Sequence, residues 1–521
     1  MAAAGTAQWS SRFAFIMAAV GSSVGLGNLW RFSAEAGTNG GGAFILIYLL
    51  CIAFVGLPVL MSEYVIGRAG QASSAVKSMD DLNQRSGVSR GWSSGGWFGM
   101  IASFLIVSFY CVVAAWVLAY IPKFLTGAFD GQTPEQIANQ FGELRSTPSK
   151  VIPYFLVFGA LTAFLVSRGV NKGIEVAAKY LMPLFFALLI GLAGYAIFSS
   201  WDSGGAKQAF KFLFTPDFSK IDGSVANSAL GQACFSLGIG NAIMITYGSY
   251  LPKQVNIPKA AITVSVTDTL VALIAGFAIF PIVFANGLDF GAGAGIFFQT
   301  LPTALSEAPG GNIVGAAFFF LAFFAAITSS ISLLEPSVAW VSEQFKIRKF
   351  SAAWITGGAV IALGFGSVYS EQFFDFIDTG LVGPVIAPLS AFLVVVYTGH
   401  RMKKKIVLEE MEAQVDENSK TENKVLSPFT LQGVVVMLLA VLTTVMTAQA
   451  LDASGAVAFF LYVTLAVGLL SWFWAYDVGY LNENGVKLNF YSHLLFFLVR
   501  YVAPIFIWVV LIAGMYSRYF A

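Results

Sequence analysis

Several oxygen-bearing side chains stand where a membrane would be expected to exclude them. Arg31, Glu35, Glu63, Asp268, Glu335 and Asp378 lie within long apolar runs, together with Asn28, Ser236, Thr328, Ser329 and Ser330. An ionisable group is expensive to hold in a bilayer and by default marks a functional path. Amide, hydroxyl and carboxylate oxygens are the ligands of hard cations such as sodium. A plainer reading stands beside this one for Thr328, Ser329 and Ser330, whose hydroxyls could bond back to carbonyls of their own helix. Asp268 also has two readings. It is either a carboxylate near the end of its run, paired with Lys259, or a buried anion balanced by sodium.

Two glycine-punctuated stretches must position these groups. Gly25-Leu26-Gly27-Asn28 interrupts the run that starts near Phe13, and Gly238-Ile239-Gly240-Asn241 interrupts the run that starts near Val225. Glycine lets a helix unwind, and the freed N–H and C=O groups survive at membrane depth only where they line a protected or watered cavity. Matched breaks in the two halves of a hydrophobic chain point to a transporter's central binding site. The first stretch also looks like a truncated nucleotide-binding fingerprint, but it lacks the third glycine and a preceding strand. Gly40, Gly41 and Gly42 read as a tight turn opening the next helix.

The 521 residues are 57% hydrophobic and 11% charged, against about 25% charged for a soluble domain. The chain is therefore expected to be an all-α polytopic membrane protein surrounded by lipid. A net charge of +1 gives no reason to expect a nucleic-acid partner. Cys51, Cys111 and Cys234 read as buried thiols, and His400 and His493 stand alone. No clustered nucleophile and base stands out, so an enzyme is not expected. The first apolar run carries Trp30 and Arg31 near its end and lacks a small-residue cleavage site, so it reads as a retained span.

With roughly 20 apolar residues needed per span, candidates fall near 13–34, 42–66, 97–122, 151–167, 176–198, 225–250, 260–286, 311–342, 351–368 and 375–398. Three more fall near 430–450, 456–476 and 489–516. Alternate loops collect Lys and Arg, while 287–310 and 369–374 have none, so the N-terminus is expected in the cytoplasm of a plasma (inner) membrane protein. The breaks fall in spans one and six. This spacing predicts two inverted five-span repeats, 1–200 and 201–398, then a linker, 399–429, and C-terminal spans, 430–521. The polar stretch 400–427 reads as a solvated cytoplasmic linker.

Gly25-Leu26-Gly27-Asn28-Leu29-Trp30-Arg31-Phe32, followed by Asn39-Gly40-Gly41-Gly42-Ala43-Phe44, closely resembles the neurotransmitter:sodium symporter family, which includes the bacterial leucine-transporter fold. Phe235-Ser236-Leu237-Gly238, Ala325-Ala326-Ile327-Thr328-Ser329-Ser330 and Arg500-Tyr501-Val502-Ala503-Pro504 extend the resemblance over nearly the whole chain. Ser33 stands where the family usually has proline. The resemblance implies sodium-coupled alternating access and two sodium sites. The first would use the Ser23 carbonyl, Asn28, Ser236 and Asp268, and the second Gly21, Val24, Ala325, Thr328 and Ser329. A gap-free placement would put Thr267 at the Asp268 position, but Asp268 aligns Ala275-Gly276-Phe277 with the family pattern. Many animal members carry asparagine there and need chloride, so a carboxylate implies chloride independence.

By the same resemblance, a substrate carboxylate would sit on the N–H groups of Gly25, Leu26 and Gly27 with the Tyr110 hydroxyl. Monoamine members carry aspartate at the Gly25 position, so glycine argues for an amino acid. Ile106, Phe235, Gly238, Asn241, Ser329 and Leu333 would shape the side-chain pocket, and a bulky neutral side chain is favoured. Taurine-like or β-amino substrates, or a sensor that binds without transport, stay open. Arg31 and Asp378 would form an outer gate, with Gln232 beside Arg31 and Phe235 as its lid. Trp9, Tyr250 and Glu343 match inner gate positions, while the usual basic gate residue falls near Thr6; Glu63 and Glu335 read as buried anchors. The runs 430–450 and 456–476 precede the Arg500 motif as an inserted hairpin, or one of them lies on the membrane surface.

Overall fold

A computed structural model describes residues 8–221, 223–288, 294–306, 308–411, 414–415, 486–487 and 490–519. Among these residues, nine helices are long and apolar enough to cross a bilayer, and a bent pair makes up to a tenth. The bent pair is span 1, Arg12–Ser23 and Gly27–Thr38, which meet at 55°. Spans 2 to 5 are Gly42–Gly70, Arg90–Leu125, Pro148–Ser167 and Val170–Ser199. Outside that count, a further broken element, Gly223–Ser236 and Ile243–Ser249, takes the place of span 6. Spans 7 to 10 are Ile257–Ala285, Gly311–Phe345, Lys349–Tyr369 and Glu371–Arg401, and a C-terminal span covers Leu494–Tyr516.

Most spans run several residues beyond their apolar cores. Spans 3 and 8 have 36 and 35 residues, more than the roughly 20 a bilayer needs, so their ends extend into the polar layers. The outward faces of spans 4, 5 and 9 carry exposed Phe164, Tyr180, Ile190, Phe198 and Ile355, as lipid contact demands. The broken spans sit inside. The first half of span 1 packs against spans 5, 7 and 8, and the second half of span 6 lies along span 2. Spans 3 and 8 run against each other beside them.

The first residues of the polar stretch after span 10 pack against the bundle, while 412–413 and 416–429 lie outside the described residues. Lys404–Glu410 is helical, and Val407, Leu408 and Met411 are buried. Arg68 at the end of span 2, itself buried, donates to the Glu410 carboxylate, to the Glu410 carbonyl at 2.9 Å and to the Val255 carbonyl. The charges of this segment are thus partly spent on docking it. The runs 430–450 and 456–476 lie outside the described residues, as does Thr6.

Candidate functional site

Each break is built by local backbone chemistry. The first helix of span 1 ends where Val24 turns extended (φ −74°, ψ 98°). The Asn28 side chain then accepts the Gly25 N–H at 3.0 Å, replacing a bond the helix no longer supplies. The carbonyl end of Arg12–Ser23 carries partial negative charge, and the N–H end of Gly27–Thr38 partial positive charge. A cation is favoured on one side of the break and a carboxylate on the other.

In span 6, the Gly238 N–H bonds the Phe235 carbonyl and the Ile239 N–H bonds Cys234. With Gly238 at φ +61°, this is a Schellman ending. Gly240 follows at φ +77°, and a Cβ there would lie 2.2 Å from the Ala387 carbonyl oxygen, so only glycine fits. Its N–H donates to Glu63 Oε1 at 2.7 Å, so the buried Glu63 satisfies backbone that unwinding left open.

Three side chains from three spans meet between the breaks. Asn28 Nδ2 donates to Asp268 Oδ1 at 2.8 Å and to Ser236 Oγ at 2.9 Å, and Ser236 Oγ donates to Asp268 Oδ2 at 2.6 Å. All three are sealed from solvent, with Asp268 and Asn28 at 0% exposure. Thr267 instead turns away and donates to the Thr263 carbonyl at 2.7 Å, so span 7 presents Asp268 to the interior. Lys259 does not pair with Asp268 within 4 Å in the described ion pairs. Tyr48 of span 2 adds a hydroxyl, 3.3 Å from Ser236 Oγ. Nothing in its apolar sequence context marked it.

A second cluster joins spans 1 and 8. Ser329 Oγ lies 3.4, 3.2 and 3.4 Å from the carbonyl oxygens of Gly21, Ser22 and Val24. Thr328 Oγ1 lies 2.9 and 3.1 Å from those of Phe324 and Ala325. The hydroxyl triplet therefore divides. Ser330 bonds back to Ile327 and pairs with Thr162, whereas Ser329 reaches across to the broken helix end.

Above these clusters, the Tyr110 hydroxyl accepts the Leu26 N–H at 3.3 Å. A Cβ on Gly25 would lie 2.7 Å from Ser329 Oγ and 3.2 Å from the Tyr110 hydroxyl. A Cβ on Gly27 would lie 2.5 Å from the Phe235 ring. Of the three N–H groups assigned to a carboxylate, that of Gly25 is held here by Asn28 and that of Leu26 by Tyr110. Ser23, Ile106, Leu333 and Asn241 are all buried nearby in the sequence of these same elements.

The sequence profile of the sodium:neurotransmitter symporter family matches residues 6–140 and 136–467. The chain belongs to this family. The uncharacterized sodium-dependent transporter YhdH of Bacillus subtilis (strain 168) is 36% identical over 415 residues, 78% of this chain and 90% of the relative. An uncharacterized sodium-dependent transporter of Haemophilus influenzae is 33% identical over 412 residues, 76% of this chain and 89% of its own length. The crystal structure of MhsT in complex with L-phenylalanine superposes with a TM-score of 0.75 at 32% identity, covering 98% of this chain and 100% of that one. This symporter is thus an all-helical, multi-span sodium-dependent transporter with the MhsT fold, and not an enzyme.

Of the residues expected at an outer gate, Arg31 meets Phe235 but not Asp378. Arg31 makes no ion pair with Asp378 within 4 Å; its Nε lies 3.9 Å from Glu35, and its guanidinium stacks 4.5 Å over the Phe235 ring. Arginine over a ring face is itself favourable, and Glu35, one turn along the same helix, is the nearer anion. Gln232 Nε2 donates to the Gly27 carbonyl at 3.2 Å, and its Oε1 accepts no hydrogen bond from Arg31.

At the opposite end, Trp9 donates through Nε1 to the Tyr247 carbonyl at 3.1 Å and through its backbone to Tyr250 at 3.2 Å. Glu343 accepts the Ser74 N–H at 3.1 Å and pairs with Lys77 at 3.4 Å. Tyr250 donates to buried Glu335 at 2.8 Å, and Lys349 pairs with the same carboxylate. Ser10 donates to Glu175 of span 5 through both its backbone and its hydroxyl. In the sequence Lys77 and Lys349 read only as loop cations that set orientation, and Glu175 stands in a segment that reads as a helix end.

Proposed function

We propose that this protein couples sodium influx to uptake of a bulky neutral amino acid by alternating access. The observation that carries the reading is the buried Asn28–Ser236–Asp268 cluster set between two broken spans. The Ser23 carbonyl completes a first sodium site with these three side chains. Gly21, Val24, Ala325, Thr328 and Ser329 form a second site at the negative end of the first half-helix. The substrate carboxylate lies against Gly25, Leu26 and Gly27 with Tyr110, and closes the first sodium's shell. Gly25 has no room for a side-chain carboxylate of its own, so the ligand brings one. The similarity to MhsT, seen with L-phenylalanine, supports a large apolar side chain among Ile106, Phe235, Gly238, Asn241, Ser329 and Leu333.

Spans 1–5 (residues 1–200) and 6–10 (201–398) act as inverted halves rocking about this site, with the N-terminus in the cytoplasm. Arg31, Gln232, Phe235 and Asp378 close the outer side; Trp9, Tyr250 and Glu343 close the inner side. Asp268 carries a fixed negative charge in the first sodium site, so transport is independent of chloride. Each charge moved down the membrane potential supplies about 2.3 kcal/mol per 100 mV, enough for steep accumulation with two sodium ions. The test is uptake of radiolabelled amino acids into proteoliposomes with an inward sodium gradient. Accumulation in potassium alone refutes the coupling, and counterflow separates a transporter from a sensor.

A further inference from the structure

Asn241 sits in the unwound stretch of span 6 with an unusual balance. The residue is 7% exposed, and its Oδ1 is sealed from solvent with no hydrogen-bond partner among the described residues. A buried amide oxygen left unpaired is costly, and such atoms in native proteins call for an explanation. Its neighbours place it. The Asn241 carbonyl accepts the Ser103 hydroxyl of span 3. Ser103, Ile106 and Tyr110 stand at i, i+3 and i+7, on one face of that helix.

Tyr110 marks the other end, where its hydroxyl meets the Leu26 N–H. Seven residues of helix separate Ser103 from Tyr110, about 10 Å. Ile106, Tyr110, Ser329 and Leu333, like Asn241, each keep 6–7% exposure, while the core around them is sealed. Gly238 leaves the wall beside Asn241 open, since a Cβ there would meet nothing nearer than Ile243 Cδ1 at 4.0 Å.

We infer that Asn241 reads the far end of the substrate side chain, and that the preferred substrates are aromatic amino acids with a hydrogen-bond donor at that end, tyrosine or tryptophan. The inference rests on the amino-acid reading above and adds the side-chain class. With the carboxylate at the level of Tyr110, a leucine side chain ends well short of the ~10 Å rise to the level of Ser103 and Asn241, whereas a phenol or indole extends further along it. The phenol O–H or indole N–H then pairs the orphaned oxygen. Phenylalanine fills the same space and leaves Oδ1 unpaired. A basic side chain is the competing occupant, because Glu63 Oε2 is also buried without a partner and Glu63 binds the residue next to Asn241.

The test is competition binding to the purified full-length protein in sodium, with tritiated phenylalanine as the probe and unlabelled tyrosine, tryptophan, phenylalanine, leucine and lysine as competitors. Tyrosine and tryptophan should compete about 3- to 10-fold more tightly than phenylalanine, the span of one neutral hydrogen bond. Asn241→Leu should bring that ratio close to one, with each competitor scaled to the affinity of phenylalanine for the variant itself. If this variant does not fold, Asn241→Ala is measured in its place with the same expectation. Phenylalanine competing as well as tyrosine in the unaltered protein overturns the inference. So does an unchanged ratio in the folded variant, or lysine as the strongest competitor. Strong leucine binding with a flat tyrosine-to-phenylalanine ratio overturns the side-chain class alone. If no amino acid binds in sodium, the amino-acid reading itself fails and this inference falls with it.

Discussion

Replacing Asp268 by asparagine removes the one full negative charge from the buried cluster while keeping its shape. The carboxylate now accepts Asn28 Nδ2 at 2.8 Å and the Ser236 hydroxyl at 2.6 Å, with no exposure to water. A sodium ion about 4 Å from that charge, at an effective dielectric of about 20, gains about 4 kcal/mol. The Asn28 and Ser236 dipoles, released from the carboxylate, turn toward the ion and recover part of this. The half-saturating sodium concentration for uptake should therefore rise about 100-fold, roughly 2.7 kcal/mol. Chloride should partly restore the variant by supplying the missing anion, whereas the unaltered protein should transport equally in chloride and in gluconate. The assay is sodium-titrated uptake into proteoliposomes in both anions. Asp268→Asn with an unchanged sodium dependence in gluconate would refute the assignment, and so would a chloride requirement in the unaltered protein.

Gly25→Ala should lower substrate affinity at least 10-fold, because its Cβ would stand 2.7 Å from Ser329 Oγ; sodium-dependent binding measures it. Gly240→Ala should fail to reach the membrane in folded form. It combines φ +77° with a 2.2 Å approach to the Ala387 carbonyl, a strain of about 1–3 kcal/mol before the clash is counted; monodispersity after detergent extraction reports this. Arg68→Ala should leave Glu410 unpaired and lower stability by about 3 kcal/mol, read as a fall in thermal midpoint. Arg68→Ala with Glu410→Ala should recover part of that loss.

The pieces of the site were legible one by one. Asn28, Ser236 and Asp268 stand out as oxygen-bearing residues in lipid-like surroundings, and both glycine breaks are visible as local irregularities. Their meeting was not legible, because Asn28 and Asp268 are 240 residues apart and one-residue register in span 7 separates Asp268 from the outward Thr267. The gates were less readable still. Arg31 could pair with Asp378 or Glu35, and a sequence cannot rank two anions whose distances depend on how far the helices have closed. The docking of the first residues after span 10 was not legible, because their charges signal solvent until Arg68 is seen to hold Glu410.

Composition alone determined that this chain lives in a membrane, since so much apolar surface has no other place to go. Local chemistry determined where the helices break, since glycine and the Asn28 side chain act on backbone a few residues away. Tertiary packing decided which oxygens converge, which charges pair and which stay open. Those outcomes depend on distances of 3–4 Å between elements far apart in the chain, and no local preference encodes such distances.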